Sequence, residues 1–324
     1  MGEPTEIQSP GAERATTARG GGSVQSPGRP ADGPADGAGA STALRGASGV
    51  RAWISAQRQH PARPKVVFEL ALIAISYWLY SLVRNAVPEQ ASAAERNAFW
   101  VWHTEQGLGV AVERSINHAV NSVTWLIVGM NYYYATLHFI MTIGVLVWLY
   151  RCHPGRYAAS RTVLFITTGI ALVGFYFYPL APPRLMTDGH FIDTVAVHHT
   201  WGSLASGPGA SVSNQFAAMP SMHIGWSSWC GLTIFFLAER KWVRALGLAY
   251  PAATLMVIIS TANHFWMDAV GGAVCLAIGF TVTRLVYHRW AYQFPQVPVA
   301  RQSPPQGASV PEQRPTPVGA GSRQ

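Results

Sequence analysis

The chain has 324 residues, of which 12% are charged and 49% hydrophobic, and its formal net charge is +8. The charged fraction is about half that of a typical globular protein, which excludes an ordinary soluble enzyme. Lys and Arg lie in the polar ends and between apolar runs, not in a patch interleaved with aromatic residues. This argues against nucleic-acid binding. The sequence therefore predicts a polytopic membrane protein.

The two ends of the chain are rich in Gly, Ala, Pro, Ser and Arg and contain few large apolar residues. Such segments cannot bury enough surface to offset chain entropy. We therefore predict disordered tails over residues 1–60 and 291–324, with a single membrane domain over residues 61–290.

Within this domain, six apolar runs approach the roughly 17–25 residues that a helix needs to cross the hydrocarbon core. The sequence thus predicts an all-α protein with a six-helix transmembrane bundle. The predicted spans are Val66–Val83, Tyr133–Tyr150, Thr162–Tyr178, His223–Ala238, Val243–Thr261 and Met267–Tyr287.

The basic residues between these spans predict how the protein is oriented. Lys and Arg are concentrated before the first span, between the second and third, between the fourth and fifth, and after the sixth. Cytoplasmic loops carry this excess, so both tails are predicted to be cytoplasmic in a multi-pass cell-membrane protein. The loops after the first, third and fifth spans are then extracytoplasmic.

The first of these loops is not featureless. Ala94–Met130 alternates aromatic and aliphatic residues with polar ones, which indicates one or two amphipathic helices lying in the membrane interface. Glu105 and Glu113, eight residues apart, are predicted to share one helix face as solvated charges.

A His–Asp pair follows the fifth span. His264 and Asp268 stand four residues apart, so on one helix their side chains would share a face. A carboxylate that accepts one imidazole N–H leaves the other nitrogen free to act as a nucleophile. A polar pair that merely joins two helices is the alternative.

Two further motifs lie at the same predicted end of the bundle, Pro182-Pro183-Arg184 and Pro220-Ser221-Met222-His223. A phosphoryl group in transfer spreads negative charge over its oxygens, which suits the forked cation of Arg184. The leaving oxygen needs a proton, which His223 can supply as general acid. His264 would then attack phosphorus, and Asp268 would stabilise the imidazolium.

Four other residues are weaker candidates. Ser221 and Asn263 are predicted to help bind phosphate, although Ser221 is equally well explained as a helix N-cap. His138, inside the second span, either lines the pocket or makes a bond between helices. Asp193 has no role that its position alone explains. The loop histidines, such as His190, lack an ordered ligand spacing, so no metal and no cofactor are predicted.

The three motifs resemble the signatures of the type 2 phosphatidic acid phosphatase superfamily, K-x6-R-P, P-S-G-H and S-R-x5-H-x3-D. The histidines and the Asp are in place, but Phe177 and Ile258 replace the signature Lys and Arg. The pattern is most similar to the inositol phosphorylceramide synthase branch, a likeness that includes Asp193 in the loop after the third span. This resemblance implies a membrane lipid phosphotransferase.

The missing cations also have a physical reading. A phosphate monoester carries up to two negative charges near pH 7 and a phosphodiester carries one, so a site with one obvious Arg favours a diester donor. We therefore predict phosphotransfer through phospho-His264 from an outer-leaflet phospholipid. Hydrolysis of phosphatidic acid or a polyprenyl phosphate is the alternative, and a non-enzymatic transporter is a second.

Overall fold

The computed structural model describes residues 64–86, 91–200 and 215–297. The predicted N-terminal tail, residues 1–60, lies outside these ranges, as do residues 298–324. The described chain is helical, with a single isolated β-bridge between Leu180 and Ala217. Its α-helices are α1 (Val66–Ala86), α2 (Ala91–Gly107), α3 (Glu113–Asn121), α4 (Thr124–Tyr132), α5 (His138–Cys152), α6 (Pro154–Phe177), α7 (Thr194–Val197), α8 (Met222–Leu237), α9 (Lys241–Ser260) and α10 (Trp266–Tyr287).

Four helical segments in the described ranges are long and apolar enough to cross a membrane: Thr124–Cys152, α6, α9 and α10. The predicted all-α membrane fold is therefore confirmed, but the count of six spans is not. Helices also form at the other two predicted positions, but their apolar stretches are shorter than those of the four segments above. In α1 the apolar stretch is Val66–Leu79, and α8 has 16 residues.

The predicted interfacial region, Ala94–Met130, extends too far along the chain. Two helices, α2 and α3, do form there, but α4 is continuous with α5 through a π-helical turn, Tyr133–Leu137. Residues from Thr124 onwards therefore belong to a helical segment of 29 residues that is long and apolar enough to cross a membrane. The predicted start at Tyr133 was late because the polar Asn131 interrupts the apolar pattern.

Both motif-bearing loops meet at one end of the bundle, where α6 and α9 end and α8 and α10 begin. The Ser221 backbone N–H donates to the Asp268 carbonyl (2.9 Å), and the Arg184 N–H donates to the Ala262 carbonyl (2.9 Å). Helix α10 also approaches the start of α8 closely, since a Cβ on Gly272 would overlap the Ser221 carbonyl oxygen. Backbone contacts thus hold the loops at fixed separations.

The opposite end of the bundle is closed by the chain that follows α10. Phe294 is fully buried in the largest apolar cluster, beside Trp229 and Leu149. Its carbonyl accepts from Arg156 Nε (2.6 Å), and the Gln296 carbonyl accepts from the Gly155 N–H (3.0 Å). Residues 291–297, assigned to the C-terminal tail from composition, therefore pack against the bundle, where Tyr292 also contacts the cluster that buries Phe294.

Candidate active site

His264 and Asp268 are joined by a hydrogen bond of 3.2 Å between Nδ1 and Oδ2, and both side chains are buried. They do not share a helix face as predicted, because α10 begins at Trp266 and His264 precedes it. Asp268 occupies the third position of α10 and reaches back, so that Oδ2 also accepts the Phe265 N–H at 3.0 Å. One carboxylate thus caps the helix and orients the imidazole, leaving His264 Nε2 available for chemistry.

His223, in the first turn of α8, faces that nitrogen. Its Nδ1 lies 3.3 Å from His264 Nε2. The Tyr134 ring stacks on the His223 ring at 4.2 Å between centroids, and the His138 ring lies 4.3 Å away. The π-helical turn that contains Tyr134 brings these two side chains to the site, as π-turns often do at functional positions. His138 therefore adjoins the site, and sequence reasoning missed Tyr134.

Arg184 is held by two side chains that fix its guanidinium. Its Nε donates to Asn263 Oδ1 (3.0 Å), and one terminal nitrogen donates to Asp193 Oδ2 (3.1 Å). The Arg184 side chain is 18% exposed, so the pair is largely shielded from solvent. Asp193 therefore acquires a role that the sequence did not explain: it orients Arg184 and offsets its charge.

The remaining predicted phosphate ligands differ in what they contact. Asn263 is fully engaged, because its amide nitrogen donates to Thr261 Oγ1 (2.9 Å) while its oxygen accepts from Arg184. Ser221 occupies the N-cap position of α8, but its hydroxyl makes no capping bond. Its Oγ is buried and makes no hydrogen bond to the described residues. The geometry thus makes Asn263 a support for Arg184 and leaves the buried Ser221 hydroxyl without a hydrogen-bond partner among the described residues.

Two buried amides explain why the loop that carries Asp193 lies against the site. Asn117 of α3 donates to the carbonyls of Ser260 (2.8 Å) and Ile192 (3.2 Å), and accepts from the Ile192 N–H. Asn131 of α4 donates to the Thr194 carbonyl (3.1 Å) and accepts from the Thr194 hydroxyl (2.9 Å). Buried amides satisfied in this way fix a loop firmly.

The prediction that Glu105 and Glu113 are solvated charges is wrong, because both side chains are fully buried. They lie on separate helices, α2 and α3, and accept backbone N–H groups at the start of α10. Glu113 Oε1 accepts from Trp266 (2.8 Å) and Glu105 Oε1 from Met267 (2.7 Å). Their eight-residue spacing carried no signal of this, since the residues they contact lie 153 and 162 positions further along the chain.

No cluster of three or more His, Cys, Asp or Glu side chains in the described ranges is arranged to hold a metal. The His198 ring contacts Asn121 Oδ1 (2.8 Å), and His190 contributes its carbonyl to His118 (2.8 Å). Both loop histidines thus contact residues of α3.

Comparison with known families agrees with the geometry. The family model described as the PAP2 superfamily, the type 2 phosphatidic acid phosphatases, matches residues 99–282. Searches of the curated proteins and of the solved structures gave no match. The matched residues make up more than half of the chain and contain all three motifs. The chain therefore belongs to the PAP2 superfamily and is a membrane enzyme of the lipid phosphatase and phosphotransferase type.

Proposed function

We propose that this protein is a lipid phosphotransferase that takes a phosphoryl-containing group from a phospholipid diester and passes it to an alcohol through a phosphohistidine at His264. The chain of hydrogen bonds from His223 to His264 to Asp268 supports this role. When the His264 Nδ1–H donates its hydrogen bond to the Asp268 carboxylate, Nε2 carries the lone pair, and the Nδ1–H of His223 can donate to it.

The reaction proceeds in two displacements. In the first, His264 Nε2 bonds to phosphorus, the bond from phosphorus to the leaving lipid oxygen breaks, and protonated His223 gives that oxygen its proton. In the second, neutral His223 takes the proton of the acceptor hydroxyl as its oxygen attacks phosphorus. The nitrogen–phosphorus bond then breaks, and both imidazoles return to their starting states.

The 3.3 Å between His264 Nε2 and His223 Nδ1 leaves no room for a phosphorus atom between them. Substrate entry must therefore separate the two rings. The Tyr134 and His138 rings pack against His223, so they bound the space into which it can move. Arg184 and the Ser221 hydroxyl then donate hydrogen bonds to the phosphoryl oxygens.

The observation that carries the choice of a diester donor is the Arg184–Asp193 salt bridge. Phe177 and Ile258 occupy the positions of the two signature cations. Phe177 is 76% exposed on the surface of α6, and Ile258 is fully buried in an apolar cluster. The retained cation is itself offset by a carboxylate, so the site offers less positive charge than a dianionic monoester requires. A monoanionic diester, as in the inositol phosphorylceramide synthase branch, matches the smaller positive charge of this site.

This proposal predicts a substrate preference. Purified protein should use a phosphatidylinositol-type diester at least about tenfold more efficiently than phosphatidate, because about one unit of uncompensated charge separates the two substrates. The kcat/KM for each donor is measured with and without a lipid alcohol, and the His264→Ala variant sets the background. Faster hydrolysis of phosphatidate, with no product that contains the alcohol, would show a phosphatase instead.

We also propose that this end of the bundle faces the extracytoplasmic side, as the distribution of Lys and Arg supports. Cys152 is exposed at the opposite end and serves as an internal reference, while Cys230 and Cys275 are buried. In intact cells an impermeant thiol reagent should label an Asp188→Cys variant and leave Cys152 unlabelled until the membrane is opened. Labelling of Cys152 alone in intact cells would reverse the orientation.

A further inference from the structure

Three consecutive backbone N–H groups at the start of α10 are bound by three carboxyl groups from three different helices. The Phe265 N–H donates to Asp268 of α10, the Trp266 N–H to Glu113 of α3, and the Met267 N–H to Glu105 of α2. The positive end of the helix dipole favours negative charge at this position. These three residues directly follow His264, so whatever fixes them also fixes the proposed nucleophile.

Glu105 and Glu113 are both fully buried, and neither forms a salt bridge to a described residue. Each uses Oε1 for a backbone N–H, and each has its second oxygen, Oε2, buried with no N–H or hydroxyl group of the described chain to donate to it, which leaves the other glutamate's carboxyl as its possible partner. Two ionised carboxylates in such a place would repel each other and leave both Oε2 atoms unsatisfied. One proton between them would remove the repulsion and satisfy both atoms.

We propose that Glu105 and Glu113 share one proton and act together as positioning residues, which fix the start of α10 and thereby the geometry of the His264–Asp268 pair. The pair does not touch the substrate. It connects α2 and α3 to the helix that carries Asp268, and so ties the orientation of the imidazole to the two helices at this end of the bundle. This inference rests on the proposed role of His264.

The electrostatics of the pair agree with this assignment. The neighbouring titratable groups that act on Glu105 are Glu113 from α3 and Asp268 from α10. Burial, followed by the hydrogen bond to Glu113, raises the pKa of Glu105 to about 9. The proton therefore stays on the pair at neutral pH, and the single remaining negative charge is balanced by the start of α10.

An infrared measurement on purified protein without substrate tests the shared proton directly. At pH 7 the wild-type protein should show the carbonyl stretch of a buried, protonated carboxylic acid. Glu105→Gln and Glu113→Gln should each remove that band, since in either variant the amide takes over donation and the remaining carboxyl ionises. Glu95→Gln, on the same helix but at its partly exposed surface, should keep the band. A band that survives in both variants would overturn the proposal, whichever substrate the enzyme uses.

A second readout is the pH dependence of stability. The pKa of Glu105 lies above its ordinary value of 4.5, so between pH 4.5 and about 9 the folded state holds a proton that the unfolded state has released. This carboxyl therefore makes wild-type stability fall as pH rises through that window. Glu105→Gln lacks the effect, so the Tm difference between this variant and wild type should grow from pH 5 to pH 9. A constant difference would contradict the shared proton.

The kcat and KM of Glu105 variants distinguish a positioning role from simple packing. The substrate can be any phosphate ester that the protein turns over. Glu105→Leu leaves the Met267 N–H buried without an acceptor, so kcat should fall by about tenfold or more while KM changes little. Glu105→Gln restores the acceptor and should recover most of that loss. If Glu105→Leu fails to fold, the infrared and Tm measurements on the glutamine variants still decide. Equal losses in the leucine and glutamine variants would contradict the positioning role.

Discussion

Replacing His264 with alanine is expected to lower kcat by about 10⁴-fold or more, because removing a nucleophile removes the covalent route altogether. Wild-type protein incubated with labelled donor lipid should carry a phosphoryl adduct that is acid-labile and base-stable, as a phosphohistidine is. His264→Ala should carry none. His103→Ala is the matched control, since His103 is an exposed histidine on α2 that contacts the carbonyl and the ring of Phe99, one turn earlier on its own helix.

The contribution of Asp268 is separable from that of His264. Asp268→Asn keeps the shape of the side chain but favours the wrong imidazole tautomer, which costs about 10⁴-fold in a comparable triad. Because the two residues act as a unit, the double variant should be no worse than His264→Ala alone. Additive losses in the double variant, or a normal adduct in His264→Ala, would refute the phosphohistidine mechanism.

Part of this site could be predicted from sequence because its motifs are local. The prolines before Arg184 and His223 indicate helix ends, and the four-residue spacing from His264 to Asp268 predicts that these two side chains can meet. Helix ends that lie on the same side of a bundle must come near one another. The sequence did not predict how His264 and Asp268 make contact. The contact depends on Asp268 capping the start of α10, not on a shared helix face.

The features that sequence reasoning missed depend on partners distant along the chain. Glu105 and Glu113 look like surface charges until the start of α10 supplies their donors. Tyr134 reaches His223 only because a π-turn interrupts an otherwise regular helix. Similarly, whether a short apolar helix such as α8 spans a membrane depends on its neighbours, and the predicted count of six exceeds the four helices in the described ranges that are long and apolar enough to cross one.

Replacing Arg184 with leucine is expected to reduce kcat by about 10³-fold, as loss of a cation that stabilises a phosphoryl transition state commonly does. Arg184→Lys should recover only part of this activity. Lysine keeps the charge but lacks the planar fork that allows Arg184 to bind Asn263 and Asp193 and still face a ligand. Arg96→Leu, at an exposed position on α2, is the control and should behave as wild type.

Asp193→Asn tests whether the negative charge of Asp193, which offsets that of Arg184, sets the preference for a diester substrate. Asparagine keeps an oxygen that can cap α7, as Asp193 Oδ1 does for the N–H groups of Val195 and Ala196, so the loop should survive. The negative charge is lost, and the site gains one unit of net positive charge. The ratio of kcat/KM for phosphatidate to that for the diester should therefore rise by about tenfold. If Asp193 only ordered the loop, both substrates would lose efficiency equally and the ratio would not move. In that case the preference for a diester would have to come from the shape of the site, not from its charge.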